Sequence, residues 1–173
     1  MKAPDDSPLL GALVEQARLG ILGLAPLAAI AHSRIYEQAI PAGARVIDIG
    51  SGAGVPGLVV AWDRDDVRMT LVDARLKRAD QLTRFVRRLG LRERVEVICA
   101  RVEAIGTEHI GAYDALVARR FGPPATVVAL ADRLVRAGGV VIVSAAPDDR
   151  WDHVPGWVTT APAPAGLVVL VRR

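Results

Sequence analysis

Hydrophobic and polar positions follow two rhythms along the chain. Residues 8 to 39 carry apolar side chains at helical spacing in two pieces, with a break near Gly23 to Pro26 and a start signal at Ser7 and Pro8. After "PAGA" the pattern changes to short β-branched runs: "RVIDIG", "VRMTLVD", "RVEVICA", "YDALVA" and "GGVVIVSA", each the length of a buried strand. Between them lie amphipathic stretches, at Pro56 to Trp62, Leu76 to Leu89 and Pro123 to Arg136, with a short turn after Arg101. Gly138 and Gly139 read as the exit of the last helix before its strand. Strands alternating with helices predict right-handed crossovers and a mostly parallel sheet covered on both faces. The final "GWVTTAPAPAGLVVLVRR" has two short apolar runs around a Pro/Gly turn, which predicts a terminal antiparallel hairpin. The expected organisation is one α/β globular unit: a helical segment over 1–40 packed on a domain over 41–173.

The turn after the first predicted strand, "VIDIGSGAGVPG" (Val46 to Gly57), raises the question of a nucleotide. A GxGxxG match exists at Gly52, Gly54 and Gly57, but the strand ends at Ile49, so the dinucleotide register would start at Gly50 and put Val55 in the third place. Val46, Ile47, Asp48, Ile49, Gly50, Gly52 and Gly54 fit a different pattern without slippage, the first motif of class I methyltransferases that use S-adenosylmethionine. That molecule lacks a pyrophosphate and carries a cationic amino group and a sulfonium, which gives a carboxylate at Asp48 a use. The glycines permit close backbone approach and positive φ, and Pro56 suits the first turn of the next helix. Asp73, at the tip of the second strand, stands where ribose hydroxyls need acceptors. The bland alternatives are a turn acid at Asp48 and a helix cap at Asp73 for a helix starting near Ala74.

"VIDIGSGAGVPGLVVA", "LVDARLKRADQL", "ARVEAI" and "VARRFGPP" together resemble the bacterial small-subunit (16S) ribosomal RNA guanine-N7 methyltransferases, over roughly residues 40 to 145. The resemblance implies a Rossmann-like class I fold with a seven-stranded sheet, S-adenosylmethionine as methyl donor (S-adenosylhomocysteine as product), and ribosomal RNA or the small ribosomal subunit as partner. It implies that Gly50, Ser51, Gly52, Ala53 and Gly54 line the cofactor with Asp48 and Ala74, that Asp73 holds its ribose, and that Arg101, Val102 and Glu103 lie beside adenine. Lys77, Arg78 and Arg119 match basic positions at the active site, and Arg119 also falls on the cofactor side. The chain departs from the family at its N-terminal region, which lacks the usual Trp-Asn and Asn-Leu-Thr signatures, at the doubled arginine and "FGPP" after the fourth strand, and at "SAAPDD" in place of a Lys-Gly pair. All three fall on the acceptor side. The alternatives are another RNA or small-molecule acceptor, or a non-catalytic protein that binds the cofactor or RNA.

Methylation of guanine N7 needs no proton removed, so an absent catalytic triad or carboxylate pair is compatible with it; alignment supplies the rate. An arginine reading guanine commonly bonds O6 and N7 together, which would block the nucleophile. Arg119 is therefore expected on O6, a phosphate or the cofactor carboxylate. The net charge is only +3, yet the isoelectric point is about 9.6 and arginines crowd "RLKRADQLTRFVRRLGLRER" (Arg75 to Arg94). There Leu76, Leu82, Phe85 and Leu89 make an apolar stripe, and Arg84, Arg87 and Arg88 form either a face for RNA phosphates or a solvated one. Trp151 and Trp157 are expected to cover the sheet edge, with base stacking as the alternative. His32, His109 and His153 have no metal-ligand spacing, and no metal is expected. The lone Cys99 leaves no internal disulfide, in keeping with a reducing cytoplasm. "LGILGLAPLAAIA" (Leu19 to Ala31) is too short to span a bilayer and is expected to pack as helix.

Overall fold

A computed structural model of the chain describes residues 7–144, 151, 154–160, 163–164 and 166–173. The opening "MKAPDD", most of "SAAPDD", His153 and part of the Ala/Pro stretch lie outside the described residues. Two helices come first, α1 (Pro8–Arg18) and α2 (Pro26–Glu37). Ser7 starts α1 by accepting the Leu10 N–H at 3.2 Å, and proline occupies the first turn of both helices, where its missing N–H costs nothing. Of the apolar segment Leu19 to Ala31, only the part from Pro26 on is helical, and Leu19 and Leu27 are exposed. Leu9, Leu13, Ile30 and Tyr36 bury the inner faces of these helices in the core. No helix among the described residues is long and apolar enough to cross a membrane.

The remainder alternates: β1 (Arg45–Ile49), α3 (Gly57–Asp63), β2 (Arg68–Val72), α4 (Leu76–Arg88), β3 (Val95–Ile98), β4 (Tyr113–Arg119), α5 (Pro124–Leu134), β5 (Val135–Ser144), β6 (Trp157–Thr159) and β7 (Leu167–Arg172). They form one seven-stranded sheet in the order β3-β2-β1-β4-β5-β7-β6. The first five strands are parallel and β7 runs antiparallel to β5 and β6. All five parallel strands and the closing hairpin fall where the apolar runs predict them. Each face of the sheet carries its own core, one under α1 to α4 and one containing Val127, Leu130 and Leu134 of α5, so the central strands read as near-continuous β-branched runs.

Three expectations need correction. The helix predicted to reach Arg136 ends at Leu134, because Val135 already pairs with Tyr113; Gly138 and Gly139 therefore lie inside β5, beside the register shift opposite Tyr113 and Ala115. Gly139 belongs there because a Cβ would stand 2.8 Å from the Asp114 carbonyl oxygen. The helix expected near Ala74 begins at Leu76 after an extended Arg75. Leu76 is 65% exposed and is no part of the apolar stripe, which Ala79, Leu82, Phe85, Val86 and Leu89 supply.

Candidate cofactor crevice

Chain order runs β1, β2, β3 toward one sheet edge and β4, β5 toward the other, so β1 and β4 flank the point where the winding reverses. In open α/β sheets ligands bind at the carboxyl ends of the strands at such a point. The glycine turn leaves β1 there. Gly50, Gly52 and Gly54 all take positive φ, at 68°, 55° and 84°, a conformation that costs other residues energy.

Two acids hold this turn. Asp73 accepts the Gly52 N–H through Oδ2 at 2.9 Å and the Arg75 N–H through Oδ1 at 2.9 Å. Its Oδ2 also lies 3.8 Å from Arg78 Nη1. Asp48 is almost fully buried and accepts the Gly57 N–H through Oδ2 at 2.9 Å. Burial pushes the Asp48 carboxyl up to about 7, against the stabilising bonds from Gly57 and Ser51 and the attraction of Arg119. The Asp48 carboxyl is thus turned onto the start of α3, a latch between strand and helix, as a turn acid would be. Asp73 bonds the N–H of Gly52 and of Arg75 ahead of α4 and is not that helix's cap, since the cap residue Arg75 has no side-chain capping bond.

Burial also raises Glu37 to about 7, with Asp63 adding to the effect. A carboxyl whose folded pKa lies above its unfolded value near 4 binds its proton more tightly in the native state, so the stability it contributes is lost as pH rises through 7. Between about pH 4.5 and 7 the two raised carboxyls lower stability as pH rises; His32, shifted down by burial with Arg119 and Arg120 adding to it, opposes this in the same range. Asp48→Asn is expected to remove about 3 °C per pH unit of downward slope in melting temperature across this window, the share of one proton. Parallel melting curves of the two proteins across this range would contradict the placement of the proton.

The other residues singled out in the sequence divide by position. Ser51 and Ala53 are buried: the Ser51 hydroxyl donates to the Asp48 carbonyl oxygen at 2.9 Å and Ala53 packs in the core, so the turn faces the crevice with backbone. Val102 is buried in a short 3-10 turn, while Ala74, Lys77, Arg101 and Glu103 are exposed around it. Arg119, the last residue of β4, is half-buried and donates through Nε to the Val55 carbonyl oxygen at 3.3 Å. Burial lowers its pKa from the usual arginine value, with the Tyr36 and Asp48 charges opposing. Arg120 has φ 52°, the one left-handed non-glycine among the described residues.

Residues outside the glycine motif complete the crevice. The Phe121 ring lies on Gly50, where a Cβ would come within 2.6 Å of its Cδ2. Tyr36 is fully buried and donates to the Ala118 carbonyl oxygen at 3.1 Å, which ties α2 to the tip of β4. Nothing in the linear pattern marks these contacts; the one available signal is the spacing of four between His32 and Tyr36, whose rings meet edge-on at 5.6 Å. Trp157 does cover the sheet edge, its Nε1 donating to Asp132 Oδ1 at 2.8 Å, whereas Trp151 lines a cavity beside β4 and β5. Among the described residues, no three His, Cys, Asp or Glu side chains gather as metal ligands.

Comparison with known proteins agrees with this geometry. A methyltransferase from Geobacter sulfurreducens superposes with a TM-score of 0.70 over 99% of this chain and 92% of that one, at 18% identity. A protein from Corynebacterium glutamicum does so with a TM-score of 0.65 over the same shares, at 17% identity. These establish the Rossmann-like class I fold. Curated ribosomal RNA small subunit methyltransferases G are closer in sequence. The one from Sorangium cellulosum is 34% identical over 79% of this chain and 61% of its own length, and that from Laribacter hongkongensis 36% identical over 66% and 55%. The chain therefore spans about six-tenths or less of these relatives. The family model described as rRNA small subunit methyltransferase G matches residues 28–149, more than half of the sequence, and the chain belongs to that family.

Proposed function

We propose that the chain is an S-adenosylmethionine-dependent methyltransferase whose acceptor is guanine N7 in the RNA of the small ribosomal subunit, and that it works in the cytoplasm, where that subunit is found. The observation that carries this reading is the Gly52–Asp73 junction: a carboxylate at the tip of β2 held against the backbone of the glycine turn, at the reversal point of the sheet. The residues present fit the cofactor. Each Asp73 oxygen accepts one N–H and so retains a lone pair for a ribose hydroxyl. A Cβ on Gly52 would meet only ordinary contacts, at 3.7 Å and beyond, so the space over the turn is open.

S-adenosylmethionine, when bound, supplies a methyl group on a sulfonium, transferable to a lone pair. The chain supplies position. Gly50, Gly52 and Gly54 present backbone, Asp73 takes the ribose, Val102 with the exposed Arg101 and Glu103 flanks the adenine, and Ala74 adjoins the ribose. Arg119 meets the carboxylate end, and Arg78, 3.8 Å from Asp73, stands with the exposed Lys77 at the ribose end of the crevice. The acceptor base keeps its N7 lone pair free throughout, so no residue needs to remove a proton, and rate comes from holding nucleophile and methyl in line. The relatives' shared name supports the ribosomal acceptor.

The test is direct. Incubation with methyl-labelled S-adenosylmethionine and small subunits from cells lacking this protein should yield labelled 7-methylguanosine after digestion. Absence of label, from protein that binds S-adenosylhomocysteine, would overturn the acceptor.

The arginines of α4 bear on the RNA. Arg84, Arg87, Arg88 and Arg92 line one surface hollow. Arg88 is paired with Glu15 at 3.1 Å; among the described residues no carboxylate is in salt-bridge range of the other three, as a phosphate-facing surface requires. Reversing Arg84, Arg87 and Arg92 to Glu should weaken RNA binding and lower the slope of log affinity against log salt by about 2. An unchanged slope would return this helix to a solvated face.

A further inference from the structure

On the far side of β4 from the glycine turn, a cavity of about 880 Å³ lies between the start of α2 and the carboxyl ends of β4 and β5. That size suits one nucleotide and falls far short of an RNA fold. Among the described residues its lining holds no carboxylate, while Arg119 and Arg120 at the tip of β4 and His32 of α2 all belong to it. Burial, then the charges of Arg119 and Arg120, lower the His32 pKa, so three cation-forming groups share one space with no anion to balance them. Ser144 and Trp151 also line the cavity, but their Oγ and Nε1 atoms are buried beyond the reach of a ligand. Arg119 is engaged through Nε with the Val55 carbonyl oxygen, toward the glycine turn. Arg120 is different. It is exposed, and among the described residues its side chain makes no hydrogen bond or ion pair. It also sits at φ 52°, a left-handed backbone that costs any residue with a side chain and that gathers at ligand sites.

We propose that Arg120 and His32 form a phosphate site in this cavity and hold the phosphate of the acceptor nucleotide. The inference rests on the methyltransferase reading above and deepens it. A planar guanidinium matches two phosphate oxygens at once, and a neutral imidazole adds one N–H donor. An anion placed between them also relieves the mutual repulsion of the cations around it. Leu24, Ala28, Val127 and Val143 leave the rest of the wall apolar, as a base and sugar require. Gripping the phosphate leaves every atom of the base untouched. The acceptor is thereby positioned without a donor on guanine N7, where an arginine reading the base edge would sit. The doubled arginine after β4 divides between the two ligands: Arg119 serves the cofactor carboxylate and Arg120 the acceptor.

The full chain, saturated with S-adenosylhomocysteine so that the cofactor's own carboxylate site is filled, is titrated by calorimetry with guanosine 5′-monophosphate, guanosine and inorganic phosphate. The nucleotide is expected to bind at least about tenfold tighter than guanosine, the worth of a charge-assisted pair, and tighter than inorganic phosphate, which lacks base and sugar. Arg120→Gln keeps the left-handed backbone and most of the side-chain length but removes the charge. It should abolish the preference for nucleotide over nucleoside, with affinities for guanosine and S-adenosylhomocysteine as in the parent, which separates a lost charge from a damaged fold. His32 has its own readout. The charged groups facing its ring are Arg119 and Arg120, and a phosphate offsets them, so its proton resonances should titrate at higher pH with the nucleotide bound than with guanosine. Equal midpoints would overturn the place of His32 in the site. Equal binding of nucleotide and nucleoside, no binding of either, or a preference that survives in Arg120→Gln would overturn the proposal. Inorganic phosphate binding as tightly as the nucleotide would overturn the nucleotide as occupant. A preference that depends on Arg120, in a protein that labels no ribosomal subunit, would support this site and overturn the ribosomal acceptor alone.

Discussion

Gly57→Val is expected to destabilise the protein by about 3 kcal/mol or more, the cost of forcing side-chain volume into a closed contact, and to lower the melting temperature by about 10 °C. A Cβ at Gly57 would stand 2.5 Å from Asp48 Oδ2, 2.5 Å from Leu71 Cδ2 and 2.8 Å from Asp48 Cβ. Leu71 is fully buried and Asp48 nearly so, in the middle of two adjacent strands, and neither has room to withdraw. The substitution also pushes α3 from the strands and weakens the Gly57 N–H to Asp48 bond, leaving a buried carboxyl short of a donor. Thermal melting with far-ultraviolet circular dichroism reads this directly; a melting temperature within 2 °C of the parent would mean α3 packs otherwise. Gly52→Val is the matched control in the same turn. Its Cβ meets nothing closer than 3.7 Å, so its cost is confined to the left-handed backbone at φ 55°, about 1–2 kcal/mol. It should keep the fold and lose S-adenosylhomocysteine binding, because its side chain projects into the space the ligand needs.

That pair of glycines shows where linear reading succeeded and where it stopped. The strands were legible because buried parallel strands are apolar on both faces, and "VIDI", "MTLV" and "ALVA" are so apart from the buried Asp48 and Thr70. The turn was legible because positive φ at alternate positions selects glycine. Gly57 was visible only as the last member of a slipped dinucleotide match, yet its role is the one such a third glycine plays, close packing of helix on strand. The motif was wrong for the ligand and right for the packing. Asp48 carried a comparable ambiguity: an acid at a strand tip suits a cationic ligand and a backbone N–H alike, and only the position of Gly57 shows which bond it makes here.

The contacts of Phe121, Tyr36 and Trp151 were hidden for another reason, although Trp151 itself stood out in the sequence. Each acts across the fold, Phe121 on Gly50, Tyr36 on the β4 carbonyl of Ala118, and Trp151 on a cavity between α2 and β5. No local spacing encodes contacts between residues tens of positions apart. The β5 boundary failed likewise, because a helix ending at Leu134 with Val135 already in the sheet leaves no intervening loop for composition to mark.

Asp73→Ala should raise the dissociation constant for S-adenosylhomocysteine by at least about 100-fold, since in the proposed function it removes the charged acceptor for two ribose hydroxyls, and each such bond is worth about 1.5–3 kcal/mol. The structure adds a second contribution. Without the carboxylate, the N–H groups of Gly52 and Arg75 lose their acceptor and Arg78 its nearest anion, so the turn that must be preorganised for the ligand is freed. Asp73→Asn separates the two effects. Its amide has one carbonyl oxygen, enough to keep either the Gly52 or the Arg75 bond, but it supplies no charge and one acceptor fewer to the ribose. The melting temperature of the Asn protein should therefore lie nearer the parent than that of the Ala protein, while both lose most of the affinity. Calorimetric titration beside thermal melting reads both quantities. If the Asn protein binds as tightly as the parent, Asp73 is a turn anchor only, and the ribose is held elsewhere in the crevice. If affinity falls in step with stability across both variants, the carboxylate acts through the turn and not through the ligand.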